Sequence, residues 1–157
     1  MNIWKVSHSP SDITDAVNDW LYQHHYIAVH KQAKKGQATK FAQELNIGEV
    51  VHLNRGNANV GLFVVGSALI TDKKCPLGPE WFLRKIKPIQ LVIENPIYSG
   101  QKKGWTPNYN SACYKVPSWD LDAFEAHILQ PSYQMSLSTL EAQAVTPRKR
   151  DNAAGNV

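Results

Sequence analysis

Residues 47–70, IGEVVHLNRGNANVGLFVVGSALI, predict two neighbouring strands joined by a short turn. The first strand is expected over 48–53 and the second over 60–70. Between them, residues 54–59 are rich in Asn and Gly, which favour turns. The second strand is the most hydrophobic segment of the chain, which favours a central position in a sheet. The pair therefore indicates a fold organised around a β-sheet.

Two glycines interrupt the second strand and indicate an irregular ladder. Gly61 and Gly66 lie inside it, where glycine often marks a bulge or a close approach of another backbone. Other strands are expected over 2–6, 26–30, 89–96 and 112–116. The strands after residue 48 lack the long intervening helices of a parallel doubly wound sheet. We therefore predict an α+β fold with a mixed, curved sheet or a small β-barrel flanked by helices.

Helices are predicted around this sheet. One follows the first strand, with Ser9 as its cap and Pro10 in its first turn. Its buried face is expected to carry residues at helical spacing: Ile13, Val17, Trp20 and Leu21. Further helices are expected over 38–45, over 118–129 with Trp119, Phe124 and Ile128 turned inward, and from Ser138.

Length and composition predict one domain. The 157 residues, 43% of them hydrophobic, suit a single globular core. We assign residues 1–145 to this domain and 146–157, which have a linker composition, to a flexible tail. No apolar run is long enough to span a membrane and no signal peptide is recognisable, so a cytoplasmic location is expected. Cys75 and Cys113 have no metal-ligand spacing and are expected to be inert thiols.

Charge is unevenly distributed along the chain. The net charge is +4, and residues 31–55 carry five basic and two acidic side chains, whereas residues 73–103 carry seven and two. Residues 104–145 reverse this balance, with one basic and four acidic side chains. This pattern is compatible with a basic face for an anionic partner and equally with solvated lysines on a soluble protein.

An aromatic side chain begins the most basic of these segments. Trp81 follows the Gly- and Pro-containing segment CPLGPE (75–80) and starts WFLRKIKPIQLVIENP (81–96). We expect Trp81 on a rigid loop beside a basic strand, an arrangement that suits stacking on a base and binding of a phosphate backbone. A second aromatic loop, YSGQKKGWTPNYNS (98–111), is long for a small domain, and such loops are often functional.

These segments together resemble the PUA-like superfamily, specifically its EVE and YTH branches. The resemblance rests on IWKVSHSPSDI (3–13), on the strand pair within 47–70, and on the segment from Trp81 to Pro96. It covers roughly residues 2–130. The Trp and Ser run that YTH domains carry after their first helix is replaced here by HHYIAVHKQ (24–32).

The resemblance implies a reader of modified bases. YTH domains bind methylated adenine in RNA, and EVE- and YTH-like domains precede the GTP-hydrolysing AAA+ motor of modification-dependent restriction proteins of the McrBC type. The expected partner is duplex DNA with a modified base that is flipped into an aromatic pocket, with RNA as the alternative. A fused motor and a nuclease subunit are further expected partners, although no Walker motif occurs in this chain.

Candidate site residues follow from the aromatic loops and the resemblance. The base-binding pocket is predicted to comprise Trp81, Tyr26, Trp105, Tyr109, Ser7, His8, His30 and Asn54. Phosphate contacts are predicted for Lys31, Lys34, Lys35, Lys40, Arg55, Arg84, Lys102 and Lys103. No cofactor, metal or catalytic residue is expected. Three alternatives stay open: an RNA-binding PUA-like module, an ASCH-like hydrolase with Thr39, Lys40 and Glu49, and an adaptor that binds only proteins.

Overall fold

A computed structural model describes residues 1–145 of the chain; the predicted tail, 146–157, lies outside the described residues. One mixed sheet has the strand order β2-β5-β4-β3-β1-β6. Strand β1 is parallel to β3 and the other pairs are antiparallel. The strands are β1 (Ile3–Ser7), β2 (Tyr26–His30), β3 (Val50–Arg55), β4 (Ala58–Ile70), β5 (Trp81–Leu91) and β6 (Cys113–Lys115).

Within residues 1–145, four helical segments flank the sheet. Helix α1 is regular, whereas α2 and α3 each begin as an α-helix and continue with wider π-helical turns. The segments are α1 (Asp15–Gln23), α2 (Gln37–Thr39 continuing through Lys40–Glu44), α3 (Leu121–Phe124 continuing through Glu125–Tyr133) and α4 (137–145). A single 3₁₀ turn, Ser118–Asp120, leads into α3. The α+β class is thus confirmed.

The sheet curls around a core on its concave face. All six strands supply buried residues to one cluster, and Phe41 of α2 and Leu45, the residue that follows α2, pack into it. The strand residues include one from each strand in turn: Val6, Val29, Val51, Phe63, Ile86 and Cys113. A second cluster on the other face joins β1, β3 and β4 to α3 and α4, and a third packs α1 against β2 and β5. The sheet remains open, with β2 and β6 as its edges among the described residues, so the barrel alternative is corrected.

Irregular pairing of β4 with β5 accompanies this curvature. The register shifts between Leu62 and Phe63 and again between Val65 and Leu69, and such bulges increase local twist. Gly66 lies in the second shift. A Cβ atom at Gly61 would lie 3.0 Å from the Phe63 ring and 3.3 Å from the Gln90 carbonyl oxygen of β5, so a side chain there would require these neighbours to shift. The prediction that these two glycines mark a bulge and a close approach is confirmed.

Two predicted boundaries and the predicted orientation of one side chain are corrected. Helix α1 begins after Thr14, whose hydroxyl accepts from the amide of Val17, and the Ser9 carbonyl instead closes a turn with the amides of Asp12 and Ile13. Strand β5 begins at Trp81 and not at residue 89, so Trp81 is the first strand residue and not a loop residue. Trp119 is 81% exposed instead of inward-facing. Phe124 and Ile128 are buried as predicted.

No described helix is long and apolar enough to cross a membrane. Both cysteines are free and buried, and burial raises the pKa of the Cys113 thiol to about 12.

Two buried histidines, His8 after β1 and His52 in β3, form hydrogen bonds to other elements of the fold. The His8 ring bonds Asn18 Oδ1 through Nδ1 at 3.0 Å and accepts from the Ala28 amide through Nε2 at 3.1 Å. His52 Nε2 lies 2.9 Å from the Tyr133 hydroxyl. Burial lowers the pKa of His8 to about 4 and that of His52 to about 3. Both rings are therefore neutral in the folded protein near pH 7.

Acid should destabilise the protein through these two rings. In the unfolded chain each binds a proton near pH 6.5, whereas in the folded protein each stays neutral to about pH 4. Between these values the unfolded state binds more protons, so stability falls as the pH falls. From pH 7 to pH 5 we expect a loss of about 2 kcal/mol per ring in the free energy of unfolding. In His52→Gln only His8 remains, so urea denaturation should show about half of the loss in unfolding free energy that the two rings together cause between pH 7 and pH 5. An unchanged loss would contradict the conclusion that His52 is neutral in the folded protein.

Candidate functional site

A cleft of about 610 Å³ opens where the edge strand β2 approaches the end of β1. Strand β2 contributes Ala28, Val29 and His30, β1 contributes Ser7, and the loop before β6 contributes residues 109–112. The volume is in the range of small-molecule and cofactor sites. The cleft therefore lies in the gap that the curved, open sheet leaves between its strands.

Trp81 forms one aromatic wall of the cleft. Its backbone is opposite His30 in the β2–β5 register, and the two rings meet edge to face with centroids 5.0 Å apart. The indole also packs against the third core cluster, which includes Cys75 and Leu83. Trp81 is thus held on two sides while still lining the cleft.

Tyr109 lines the cleft from the long polar loop. Its side chain is 37% exposed, and the Lys102 ammonium lies 6.0 Å from its ring centroid. Two aromatic side chains from distant parts of the sequence therefore face the same cleft.

A buried lysine holds the Tyr109 loop. Lys5 Nζ donates to the carbonyls of Thr106 at 3.0 Å and Tyr109 at 2.6 Å, and to Ser111 Oγ at 2.9 Å. Lys5 has no exposed surface, and this burial lowers its pKa to about 8. Ser111 Oγ in turn donates to the Gly104 carbonyl at 2.6 Å. The position of the loop therefore depends on the Lys5 side chain.

Polar groups of the cleft can read the edge of a planar ligand. His30 Nδ1 accepts from the Gln32 amide at 3.0 Å, so in a neutral ring the proton is on Nε2, which is then a donor. Ser7 offers a hydroxyl that both donates and accepts, and Asp12 offers a carboxylate acceptor. Donors and acceptors are thus both available in the cleft.

Basic side chains lie in and beside the cleft. Lys34 and Lys35 line it, and Lys35 has a backbone φ of 57°, which is uncommon for a residue other than glycine. Lys31 follows directly on the other side of His30, with its ammonium 5.4 Å from the Phe82 ring centroid. Together with Lys102, these cations give the cleft a positive border.

Four of the predicted pocket residues line the cleft together: Ser7, His30, Trp81 and Tyr109. His8 is buried beneath it, where both ring nitrogens are engaged in hydrogen bonds. It therefore supports the cleft and does not line it.

Three predicted pocket residues are corrected to structural positions. Tyr26 is buried in the third core cluster and its hydroxyl donates to Asp72 at 2.7 Å. Trp105 is buried against α3, where Nε1 donates to Asp120 Oδ2 at 2.9 Å. Asn54 is buried and donates to Asn59 at 3.0 Å. None of the three lines the cleft.

Some of the predicted phosphate-binding residues lie at the cleft, and others have structural roles elsewhere. Lys31, Lys34, Lys35 and Lys102 lie in or beside the cleft, and Lys103 is half-buried in the Tyr109 loop. Arg84 is buried and donates to the Phe41 and Ser67 carbonyls. Arg55 pairs with Asp15 at 2.6 Å. Arg84 and Arg55 are therefore corrected to structural roles.

Lys40, the remaining predicted phosphate contact, lies elsewhere. It lines a separate depression together with Glu49. The prediction that Lys40 contributes a phosphate contact at the base-binding site is therefore corrected. Thr39 does not line this depression. Both Glu49 oxygens accept hydrogen bonds, one from the Asn2 side chain and one from the Asn46 amide.

Several residues of the site went unnoticed in the sequence. Asp12, Gln32 and Asn110 line the cleft, but polar residues in loops carry no signal that separates them from their neighbours. Lys5 did carry such a signal, because a lysine in the middle of the apolar strand IWKVS is unusual and needs buried acceptors. Within residues 1–145, no three His, Cys, Asp or Glu side chains converge as a metal site requires.

Comparison with known proteins gives the fold alone. No protein-family model matches the chain, and no curated protein has a significantly similar sequence. Protein Atu2648 from Agrobacterium tumefaciens is 12% identical, with a TM-score of 0.52 over 83% of this chain and 94% of that one. A hypothetical protein from Leishmania major is 13% identical, with a TM-score of 0.54 over 80% of this chain and 93% of that one.

Replacing Lys5 by Met should loosen the Tyr109 loop. The substitution leaves two carbonyls and one hydroxyl without their donor, and an unsatisfied buried group costs about 1–3 kcal/mol. We expect the amides of Thr106, Tyr109 and Ser111 to exchange with solvent at least about tenfold faster, which corresponds to about 1.4 kcal/mol, while β3 amides change little. Lys115→Met, an exposed lysine on β6, is the matched control. Unchanged exchange in the Lys5 variant would show that the loop is held by other contacts.

Proposed function

We propose that the chain is a nucleic-acid-binding module that receives a modified base, flipped out of duplex DNA, in the cleft between Trp81 and Tyr109. The observation that carries this proposal is the meeting of two aromatic side chains and a lysine border at one cleft. Three separate parts of the sequence supply them. An aromatic-walled cleft with nearby cations suits a planar, anionic ligand such as a nucleotide.

The energetics of base flipping are compatible with this cleft. Extruding a base from a duplex costs a few kcal/mol, and stacking on an aromatic side chain returns about 1–3 kcal/mol per base. Contacts with both Trp81 and Tyr109, together with one or two hydrogen bonds to the base edge, can offset that cost. The rigid mounting of Trp81 against the core reduces the conformational entropy lost on binding.

Selectivity for a modified base requires more than the added methyl group. A buried methyl contributes roughly 0.8 kcal/mol, so discrimination depends on polar contacts that fix the base in one orientation. The Asp12 carboxylate is suited to accept from the exocyclic amine of cytosine or adenine. His30 Nε2 and the Ser7 hydroxyl are suited to contact ring nitrogens or a carbonyl. These three groups are our candidates for reading the base edge.

Phosphate contacts are assigned to the lysines that border the cleft. Lys34 and Lys35 line the cleft and Lys102 lies beside Tyr109, and each of these cations is a candidate to neutralise a phosphate next to the bound nucleotide. The acidic side chains of residues 104–145 do not line the cleft; they are Asp120, Asp122, Glu125 and Glu141. The charge distribution of the chain therefore supports an anionic partner at this face.

In a larger assembly, such a module would target a motor and a nuclease to modified DNA, which is the role that the resemblance to EVE and YTH domains suggests. The same cleft also suits an unstacked base of single-stranded RNA, and this is the first alternative. A hydrolase is less well supported, because Glu49 is already engaged by two donors and Thr39 lies outside the depression that Lys40 lines.

Matched duplexes provide the direct test. Fluorescence anisotropy should show tighter binding to a duplex with methylated cytosine, hydroxymethylated cytosine or methylated adenine than to the unmodified duplex at the same salt concentration. Trp81→Ala should weaken binding to the preferred duplex by about tenfold or more, since one stacking wall is lost. Trp119→Ala, which removes a tryptophan that is 81% exposed and outside the cleft, is the control and should bind as the wild type does.

Two results would redirect this proposal. Equal binding of all duplexes by the wild type and by Trp81→Ala would indicate a nonspecific basic surface. Tighter binding to single-stranded RNA than to any duplex, lost in Trp81→Ala, would favour the RNA-binding alternative.

Salt dependence tests the phosphate contacts separately. Each lysine that contacts a phosphate contributes about 0.9 to the slope of log K against log salt concentration for duplex DNA. The double variant Lys34→Ala, Lys35→Ala should therefore reduce this slope by roughly 1 to 2 without changing the order of preference among the modified duplexes. Lys115→Ala serves as the control, and an unchanged slope in the double variant would move the phosphate path away from the turn that holds Lys34 and Lys35.

A further inference from the structure

We infer that a second groove, on the other side of Trp81, binds the nucleotide next to the flipped base. This inference rests on the proposed function and deepens it, because it defines the ligand as two consecutive unstacked nucleotides. The groove has a volume of about 480 Å³ and is bounded by the ends of β4 and β5 and by the loop between them. Trp81 lines both this groove and the cleft.

The groove has an apolar floor. Ile70, Cys75 and Leu83 form it as part of the third core cluster. Leu69, which is 37% exposed, and Pro79 complete its apolar lining. Flat apolar surface next to an indole is suited to the face of a base, since every base has a π-face and stacking is tolerant of sequence.

Charge in the groove favours a nucleotide over a purely apolar ligand. Lys31 and Lys73 line it, opposed by one acidic side chain, Asp72. The Asp72 carboxylate is engaged by the Tyr26 hydroxyl at 2.7 Å and by the Lys74 amide at 2.9 Å. These bonds fix the loop that forms one wall of the groove and leave two cations for phosphate contacts.

The cleft and the groove adjoin each other, and this suggests a path for the nucleic-acid backbone. His30 lines the cleft and Lys31, the next residue, lines the groove. A backbone that passes over this pair would place one base on each side of Trp81, with Lys31 near the phosphate that joins them. Trp81 would then separate two stacked bases and contact both.

Short ligands test this inference without the cost of opening a duplex. The first probe is the monophosphate of methylated deoxycytidine. Two dinucleotides add a thymidine, either before or after the methylated deoxycytidine. Two further dinucleotides carry an abasic sugar in place of that thymidine. Methylated deoxyadenosine provides a parallel set. Because a stacked base contributes roughly five- to 150-fold in affinity, we expect one thymidine dinucleotide to bind at least about fivefold tighter than its abasic counterpart.

Variants connect this gain to the groove. The readout is the ratio of the two dissociation constants, with thymidine and with the abasic sugar. The double variant Leu69→Ala, Lys73→Ala should reduce this ratio to below about twofold. The control, Leu91→Ala with Lys115→Ala, removes an exposed leucine from the far end of β5 and an exposed lysine from β6, and should keep the wild-type ratio.

The outcomes separate this inference from the proposed function. Binding of the monophosphate with no gain from thymidine in either order would overturn the second subsite and leave the cleft intact. A gain that persists in the groove double variant would also overturn it. Failure of every mononucleotide and dinucleotide to bind would count against both the cleft and the groove as base-binding sites.

Discussion

Four hydrogen bonds converge on His8, and the shape of the site depends on them. Its ring joins Asn18 of α1 to the Ala28 amide of β2, while its own amide donates to Asn54 and its carbonyl accepts from Arg55. Strand β2 is an edge strand that does not pair with β1, so the ring of His8, the residue that follows β1, connects the end of β1 to a strand that is not its neighbour in the sheet. The imidazole must be neutral to accept from Ala28, which is why acid acts on this point of the structure.

Lys5 and His8 divide the support of the cleft between them. Side chains that alternate along β1 send Trp4 and Val6 to the concave core, whereas Lys5 reaches the Tyr109 loop from the opposite face. A buried ammonium is costly unless its protons find acceptors, and three acceptors from one loop meet that need. The same side chain would be poorly placed in an all-apolar strand, so its presence is accounted for by the loop that it orders. Strand β1 thus positions the Tyr109 wall through Lys5, and His8, the residue that follows the strand, positions the β2 wall.

Local patterns predicted much of the sheet, and pairing between distant segments decided the rest. Strand β2 and the long strand β4 follow from their own residues, as does the bulge at Gly66. Strand β5 was predicted to start too late because Trp81 follows the Gly- and Pro-containing segment 75–80 and was assigned to that loop; in the structure Trp81 already pairs with His30 of β2. The start of α1 was misplaced because Ser9, Pro10 and Asp12 form a turn that has the same composition as a helix start.

The site was harder to predict, because composition alone cannot show which way an aromatic side chain points. Trp105 lies in the same polar loop as Tyr109, yet it turns inward because Asp120 offers its indole a buried acceptor. Trp119 fits the helical pattern of the segment, yet it lies in the 3₁₀ turn before α3 and is exposed, whereas Phe124 of α3 is buried. The meeting of His30 with Trp81 depends on the β2–β5 register, which no local pattern encodes.

The fold does not determine the function of the cleft. Two structures at 12% and 13% identity share most of the architecture, and a shared fold can host unrelated chemistries. The aromatic and histidine side chains of the cleft lie at the ends of strands and in connecting segments: Trp81 begins β5, His30 ends β2, and Tyr109 lies in a loop. Such positions can vary without disturbing the core, because the packing is held by the strand interiors. The proposed base-binding role therefore rests on these side chains and on the two buried polar residues that hold them in place.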